Sequence, residues 1–191
     1  MIEMINQDDI TNALNALKAG GVILYPTDTI WGIGCDATNA EAVKKIFEIK
    51  QRADSKSMLA LVDDISMLER YVYEMPDVAY QLIEAATTPI TIIYDHAINL
   101  APNLIANDGS VGLRVTDEPF SKQLCRQFRR PIVSTSANIS GKPAPKSFAE
   151  IANEIKEKVD YVVTYRQDET INCKPSNIIR LKVNGEISII R

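Results

Sequence analysis

Histidine is nearly missing from this chain. His96 is the single one in 191 residues, so catalysis by a histidine pair and a histidine-rich metal cage are both excluded by counting. Cysteine is scarce. Cys35, Cys125 and Cys173 are odd in number, far apart and without a CxxC pair, which argues against a disulfide framework and a thiolate zinc site. Long apolar runs are absent, and no window approaches the roughly 18 unbroken apolar residues of a membrane-spanning helix. The opening MIEMINQDDI is acidic and lacks the basic-then-apolar pattern of a signal peptide, so a cytoplasmic location is expected. The Walker phosphate-binding pattern is also missing.

What is present is ordinary globular composition, 46% apolar and 24% charged. The length suits one domain with a full core, and no low-complexity linker or internal repeat divides it. Net charge is −4, so the whole molecule is not a generic nucleic-acid binder. The charges are unevenly spread. Pro119 to Ala149 holds six bases (Lys122, Arg126, Arg129, Arg130, Lys142, Lys146) and no acid, whereas Asp63 to Glu84 holds six acids and one base, Arg70. Either a basic half holds an anionic ligand, or these are two solvated helix faces of opposite sign.

Apolar periodicity predicts a helix through Ile10, Ala13, Leu14 and Leu17, stopped by Gly20-Gly21. A second helix is capped by Thr38 or Asn39 and runs to Lys50. Further helices are expected around Met67–Tyr73, Asp77–Ala86, Phe120–Phe128 and Phe148–Val159, the last with Ser147 as cap. Strands are expected at Val22–Tyr25, Met58–Val62, Ile90–Tyr94, Val111–Val115, Ile132–Thr135, Tyr161–Thr164, Ser176–Lys182 and Glu186–Arg191. Asn184-Gly185 predicts a tight hairpin between the last two. Interleaved strands and helices with one obligatory antiparallel hairpin imply a single α/β domain, residues 1–191, on a mixed parallel and antiparallel sheet.

Three stretches invite a chemical reading. Tyr25-Pro26-Thr27-Asp28-Thr29-Ile30-Trp31-Gly32-Ile33-Gly34 runs from a strand into a loop of hydroxyls, one carboxylate, one large aromatic and two glycines. Such a loop holds a small polar ligand, or closes a turn whose side chains cap backbone groups. Lys50-Gln51-Arg52 at a helix end lets two cations converge on one anion, or complements the helix dipole. Ser134-Thr135-Ser136-Ala137-Asn138-Ile139-Ser140-Gly141-Lys142-Pro143-Ala144-Pro145 follows a strand. It reads as a phosphate or nucleotide cradle, or as a plain hydroxyl-rich loop. Together, cations and hydroxyls at strand ends suit a phosphate-bearing ligand in an open α/β sheet. No nucleophile–base pair is evident, and His96 falls in a loop. Positioning and charge stabilisation, as in nucleotidyl transfer, is the expected mode of catalysis.

The combination PTDTIWGIG, KQR and STSANISGKPAP resembles the YrdC family of threonylcarbamoyl-AMP synthases, in its short form, from Gly20 to Arg191. The resemblance implies a twisted sheet with flanking helices around a large basic cavity. It implies an enzyme, a nucleotidyltransferase, that joins L-threonine, bicarbonate or CO2, and ATP with Mg2+ into threonylcarbamoyl-AMP and pyrophosphate. Partner proteins then pass the group to a tRNA adenosine. Carried over position by position, Lys50 and Arg52 are the catalytic, phosphate-binding pair. Thr29, Arg114, Ser134 and Ser176 would bind threonine, with Arg114 on its carboxylate. Lys56, Ser110, Ser136, Asn138, Ala144 and Arg191 would complete the ATP site. No protein metal ligand is implied. The chain departs from the family where Lys56 replaces an Asn, Leu61 replaces a threonine-contacting His, and Ser176-Asn177 replaces a late Ser-Thr pair. These changes are similar to those of divergent paralogues. Two other readings stay open on the residues: a non-catalytic module binding double-stranded RNA, tRNA or rRNA through the basic run, and a carbamoyl-transfer domain with another acceptor.

Overall fold

The computed structural model describes residues 5–51, 58–169 and 175–191. Arg52, Lys56 and Cys173 lie outside the described residues. The first helix, α1 (Gln7–Lys18), is capped by the Asn6 side chain accepting from the Asp8 N–H at 2.9 Å, and it buries Ile10, Ala13, Leu14 and Leu17. That is the expected 3.6-residue stripe. β1 (Ile23–Tyr25) and β2 (Gly32–Gly34) follow, then α2 (Ala40–Lys50), whose cap is Asn39 rather than Thr38. Next come β3 (Leu59–Val62), the short α3 (Ile65–Leu68) passing into a 3-10 turn at Glu69–Tyr71, α4 (Asp77–Ala85), β4 (Ile90–Tyr94) and β5 (Val111–Val115). α5 (Pro119–Phe128) has proline in its first turn and Glu118 as cap, and it leads to β6 (Ile132–Ser136). The chain ends with α6 (Asn153–Lys158), β7 (Tyr161–Val162), β8 (Asn177–Leu181) and β9 (Ile187–Ile189).

Among the described residues the strands form one nine-stranded sheet in the order β7-β1-β2-β6-β3-β5-β4-β8-β9. β1/β7, β3/β5 and β4/β8 are parallel and the other pairs antiparallel, so the mixed α/β architecture expected from the interleaved pattern is what forms. The closing hairpin turns through Val183-Asn184-Gly185. Lys182 N donates to Glu186 O at 3.0 Å, and Gly185 takes φ 83°, a left-handed value natural to glycine. Among the described residues, no helix is long and apolar enough to cross a membrane.

Register explains how one face becomes a site. Leu59 pairs Ser134 on one side and Gly112 on the other, and Leu61 pairs Arg114. Paired residues share a face, so Ser134, Leu59, Gly112, Leu61 and Arg114 stand together. The alternate residues Ala60, Val133 and Leu113 face the other way and are buried in the core.

Three expectations need correction. Gly32–Gly34 is a strand, not loop. Its glycines are poor strand formers, but at Gly34 a Cβ would lie 2.5 Å from Val133 O and 2.6 Å from Tyr25 Cε1. Tyr25 crosses that gap to donate its hydroxyl to Val133 O at 3.1 Å. The helix expected over Phe148–Val159 is broken. A 3-10 turn at Phe148–Glu150 is followed by extended Ile151 and Ala152 before α6 starts. Glu150 folds back to accept from the Lys146 N–H at 2.8 Å, and Ser147 makes no capping bond. The helix expected at Met67–Tyr73 begins earlier, where Asp64 accepts from the Met67 N–H at 2.7 Å. It ends earlier too, because Val72 bridges to Ala97 as extended chain.

Candidate functional site

A cavity of about 260 Å³ opens where β2, β5 and β6 meet the β1–β2 loop. Its wall carries Thr29, Arg114, Ser134, Ser136, Ala144, Ser176 and Arg191, so seven of the expected site residues from four distant parts of the chain come together. Trp31, buried beside Phe148 at a ring separation of 4.9 Å, forms another part of the wall. No carboxylate or imidazole lines it among the described residues. Its chemical character is therefore set by two guanidinium groups and a set of alcohols. Guanidinium and alcohol groups are donors suited to a carboxylate or phosphate.

The β1–β2 loop owes its shape to Thr27. Its buried hydroxyl donates to Ile30 O at 2.7 Å, accepts from the Thr29 N–H at 3.1 Å and lies 3.2 Å from the Thr29 hydroxyl. This side-chain-to-backbone turn presents Thr29 to the cavity. The turn reading of the loop is realised, and the same turn shapes this part of the cavity wall. Arg114 is 4% exposed. Its Nε donates to Thr91 Oγ1 at 3.1 Å, its Nη2 to Ser176 Oγ at 3.1 Å and its Nη1 to Asp28 Oδ1, with Thr29 Oγ1 a longer 3.5 Å away. Thr91 was hidden from sequence reasoning because nothing local marks a strand threonine as a partner of a distant arginine. Arg191 reaches in from the chain's last position, its Nε and Nη2 lying 3.4 and 3.3 Å from Ser176 O.

The remaining expected residues are placed differently. Ser110 lines a neighbouring hollow of about 320 Å³ that shares Met58 and Leu59 with the first cavity. Its hydroxyl donates to Asp108 Oδ1 at 2.6 Å. Together with Arg180, these Ser110 bonds hold the Asp108 carboxyl well below the usual range, at about 2. Lys50 does not line the cavity. Its ammonium, on a residue 2% exposed, donates to Ser136 O and to Asn138 O at 2.8 Å, while Lys50 O accepts from the Ser140 N–H. α2 is thereby riveted to the hydroxyl-rich loop. Asn138 turns its amide inward to Ile139 O and Lys142 O, closing that loop rather than lining the cavity.

Part of the basic run is paired with acids. Arg126 pairs with Asp63 at 3.3 Å, Arg130 with Asp36 at 2.7 Å and Lys122 with Asp117 at 2.7 Å. The oppositely charged segments thus meet at Asp63, and half of the six bases are already matched.

A nine-stranded mixed sheet among the described residues, with an arginine-and-alcohol cavity on one face, defines an α/β domain, and comparison with known proteins gives it a family. The model of the Sua5/YciO/YrdC family, described as "Telomere recombination", matches residues 15–191. The chain belongs to this family. A Pseudoalteromonas translucida protein described as threonylcarbamoyl-AMP synthase is 34% identical over 189 residues, covering 96% of this chain and 98% of that protein. The crystal structure of P. abyssi Sua5 complexed with L-threonine superposes with a TM-score of 0.88 at 28% identity, covering 99% of this chain and 55% of that one. The present chain thus spans about half of that longer protein. E. coli YciO superposes with a TM-score of 0.83 at 25% identity, covering 97% of this chain and 89% of that one.

Proposed function

We propose that this protein is an L-threonylcarbamoyladenylate synthase. In this reading the threonine carboxylate sits against Arg114, with Thr29, Ser134 and Ser176 supplying hydrogen-bond partners around it. The amine of threonine, after loss of a proton, attacks CO2 or its bicarbonate equivalent. Threonine and bicarbonate give the carbamate, water and a proton. A carbamate oxygen then attacks the α-phosphorus of ATP, the bond to the β-phosphate oxygen breaks and pyrophosphate leaves. Carbamates decompose in water, so a recessed cavity suits the intermediate. Ser136 and Arg191 on the same wall, and Ser110 in the adjoining hollow, are the described candidates for the nucleotide side. Ala144 would abut it through its backbone, and Asn138 and Lys50 would shape the loop that carries Ser136. Arg52 and Lys56 keep their proposed phosphate roles on the motif alone.

Mg2+ belongs to this reading as the ion carried by ATP. Mg2+ is commonly held through substrate phosphates with few protein ligands. Alcohols and guanidinium groups around the cavity fit such an arrangement, leaving the ion to the phosphate oxygens. In this reading the product passes to threonylcarbamoyl-transfer proteins and on to tRNA, with the enzyme in the cytoplasm beside its substrates.

The observation that carries the proposal is Arg114. It is a buried guanidinium tied through all three nitrogens, on the wall of a cavity that also carries the alcohols of Thr29, Ser134, Ser136 and Ser176. The test is pyrophosphate release with L-threonine, bicarbonate, ATP and Mg2+, omitting each in turn. Release that requires threonine is expected, and release indifferent to threonine would defeat the proposal.

A further inference from the structure

Asp28 is the one carboxylate of the PTDT segment, and the reaction just described gives it no part. It does not line the 260 Å³ cavity. It lines a separate hollow of about 170 Å³ with Thr87, Thr88 and Asp117. Its side chain is 11% exposed, and its Oδ1 accepts from Arg114 Nη1.

The other partners of the guanidinium are neutral rotors. The Thr91 and Ser176 hydroxyls lie 3.0 Å apart and can exchange donor and acceptor roles, so they follow the guanidinium rather than dictate its direction. They also come from the same half of the sheet as Arg114: β4, the residue before β8, and β5. Asp28 comes from the β1–β2 loop across the sheet. It is the charged acceptor, and it pulls from behind. A guanidinium has five N–H groups. Asp28, Thr91 and Ser176 take three and Thr29 loosely a fourth, which leaves one Nη2 N–H without a partner among the described residues.

We propose that Asp28 is a positioning residue, whose carboxylate fixes the Arg114 guanidinium from the rear so that its remaining N–H edge is presented to a carboxylate in the cavity. The proposal rests on reading this cavity as the amino-acid site. Asp28 acts on one substrate only, through Arg114, and its effect comes from geometry. An acceptor of the same shape should therefore replace it.

The test compares Asp28→Ala, Asp28→Asn and Asp28→Glu in the full chain, titrating threonine and ATP separately in the pyrophosphate assay. Misplacing a substrate-holding group by about an ångström costs up to ~100-fold, so Asp28→Ala should raise the threonine KM by about 10- to 100-fold. The KM for ATP should stay within about twofold, the signature of lost ground-state binding for one ligand. Asp28→Asn, whose amide oxygen still accepts from Nη1, should recover most of the loss. Asp28→Glu, one methylene too long, should not. NMR of the Arg114 Nε–H gives a readout independent of turnover: ordered in the wild type and Asp28→Asn, and losing order in Asp28→Ala and Asp28→Glu. A wild-type threonine KM in Asp28→Ala overturns the proposal, as does an equal loss for both substrates with Arg114 still ordered. If Asp28→Ala does not fold, a wild-type threonine KM in Asp28→Glu overturns it. If the wild-type protein shows no threonine-dependent turnover, the functional reading fails on its own. The NMR comparison then still decides whether Asp28 positions Arg114.

Discussion

Replacing Lys50 by methionine separates two roles that one lysine can play at this helix end. In the structure its ammonium is buried and donates to Ser136 O and Asn138 O, so it is built into the fold. Hydrogen bonds to charged groups contribute roughly 1.5–3 kcal/mol each, so losing two removes about 3–6 kcal/mol. Methionine keeps most of the apolar stem and relieves the cost of burying an ammonium, which recovers part of that loss. A net destabilisation of about 2–4 kcal/mol follows, at the upper end of what single substitutions do. With a urea m-value of about 2 kcal/mol/M for a chain of this size, the midpoint should fall by about 1–2 M. Equilibrium urea denaturation followed by far-UV circular dichroism measures it. ATP affinity should also fall, because the loop carrying Ser136 loses its tie to α2. A lysine whose role is to meet phosphate directly would behave in the opposite way. Its removal would leave the midpoint unchanged or raised while ATP binding alone suffered, and that result would refute the structural role argued for Lys50.

Two further outcomes follow from local geometry. Gly34→Ala forces a Cβ to within 2.5 Å of Val133 O and 2.6 Å of Tyr25 Cε1, so it should destabilise by roughly 1–3 kcal/mol through overpacking. A midpoint equal to wild type in thermal or urea unfolding would contradict the close approach of β1 over β2. Asp108 should titrate at about 2 in an NMR pH series, held down by its bonds from Ser110 and Arg180. Because the folded pKa lies below the unfolded one, the stability it contributes is fully present above about pH 4. That contribution is lost as pH falls toward 2, and Asp108→Asn should flatten this part of the stability–pH curve.

Much of the molecule could be read from local pattern. The stripes of α1 and α2, the apolar strands β3 to β6 and the Asn184-Gly185 turn follow from periodicity and turn chemistry, which act over a few residues. The three motif stretches also announced themselves as unlike plain scaffold. Seven residues, drawn from the first and third of them, from β5 and from the last sixteen positions, do share one cavity wall. What the chain order alone could not decide is which side chains meet. The Arg114–Asp28 contact joins positions 86 residues apart, and Lys50 reaches the 136–138 loop across a similar separation. Both depend on a strand order that places β6 between β2 and β3. β2 itself was hidden, since two glycines disfavour a strand until the space over Gly34 is filled by Tyr25. Lys50 and Asn138 turned inward, and Arg126 of α5 and Arg130 beyond it found acids just past β3 and β2. Local sequence sets the period and the turns. The direction in which a charged side chain points is settled only by the carbonyls and carboxylates that long-range packing brings within its reach.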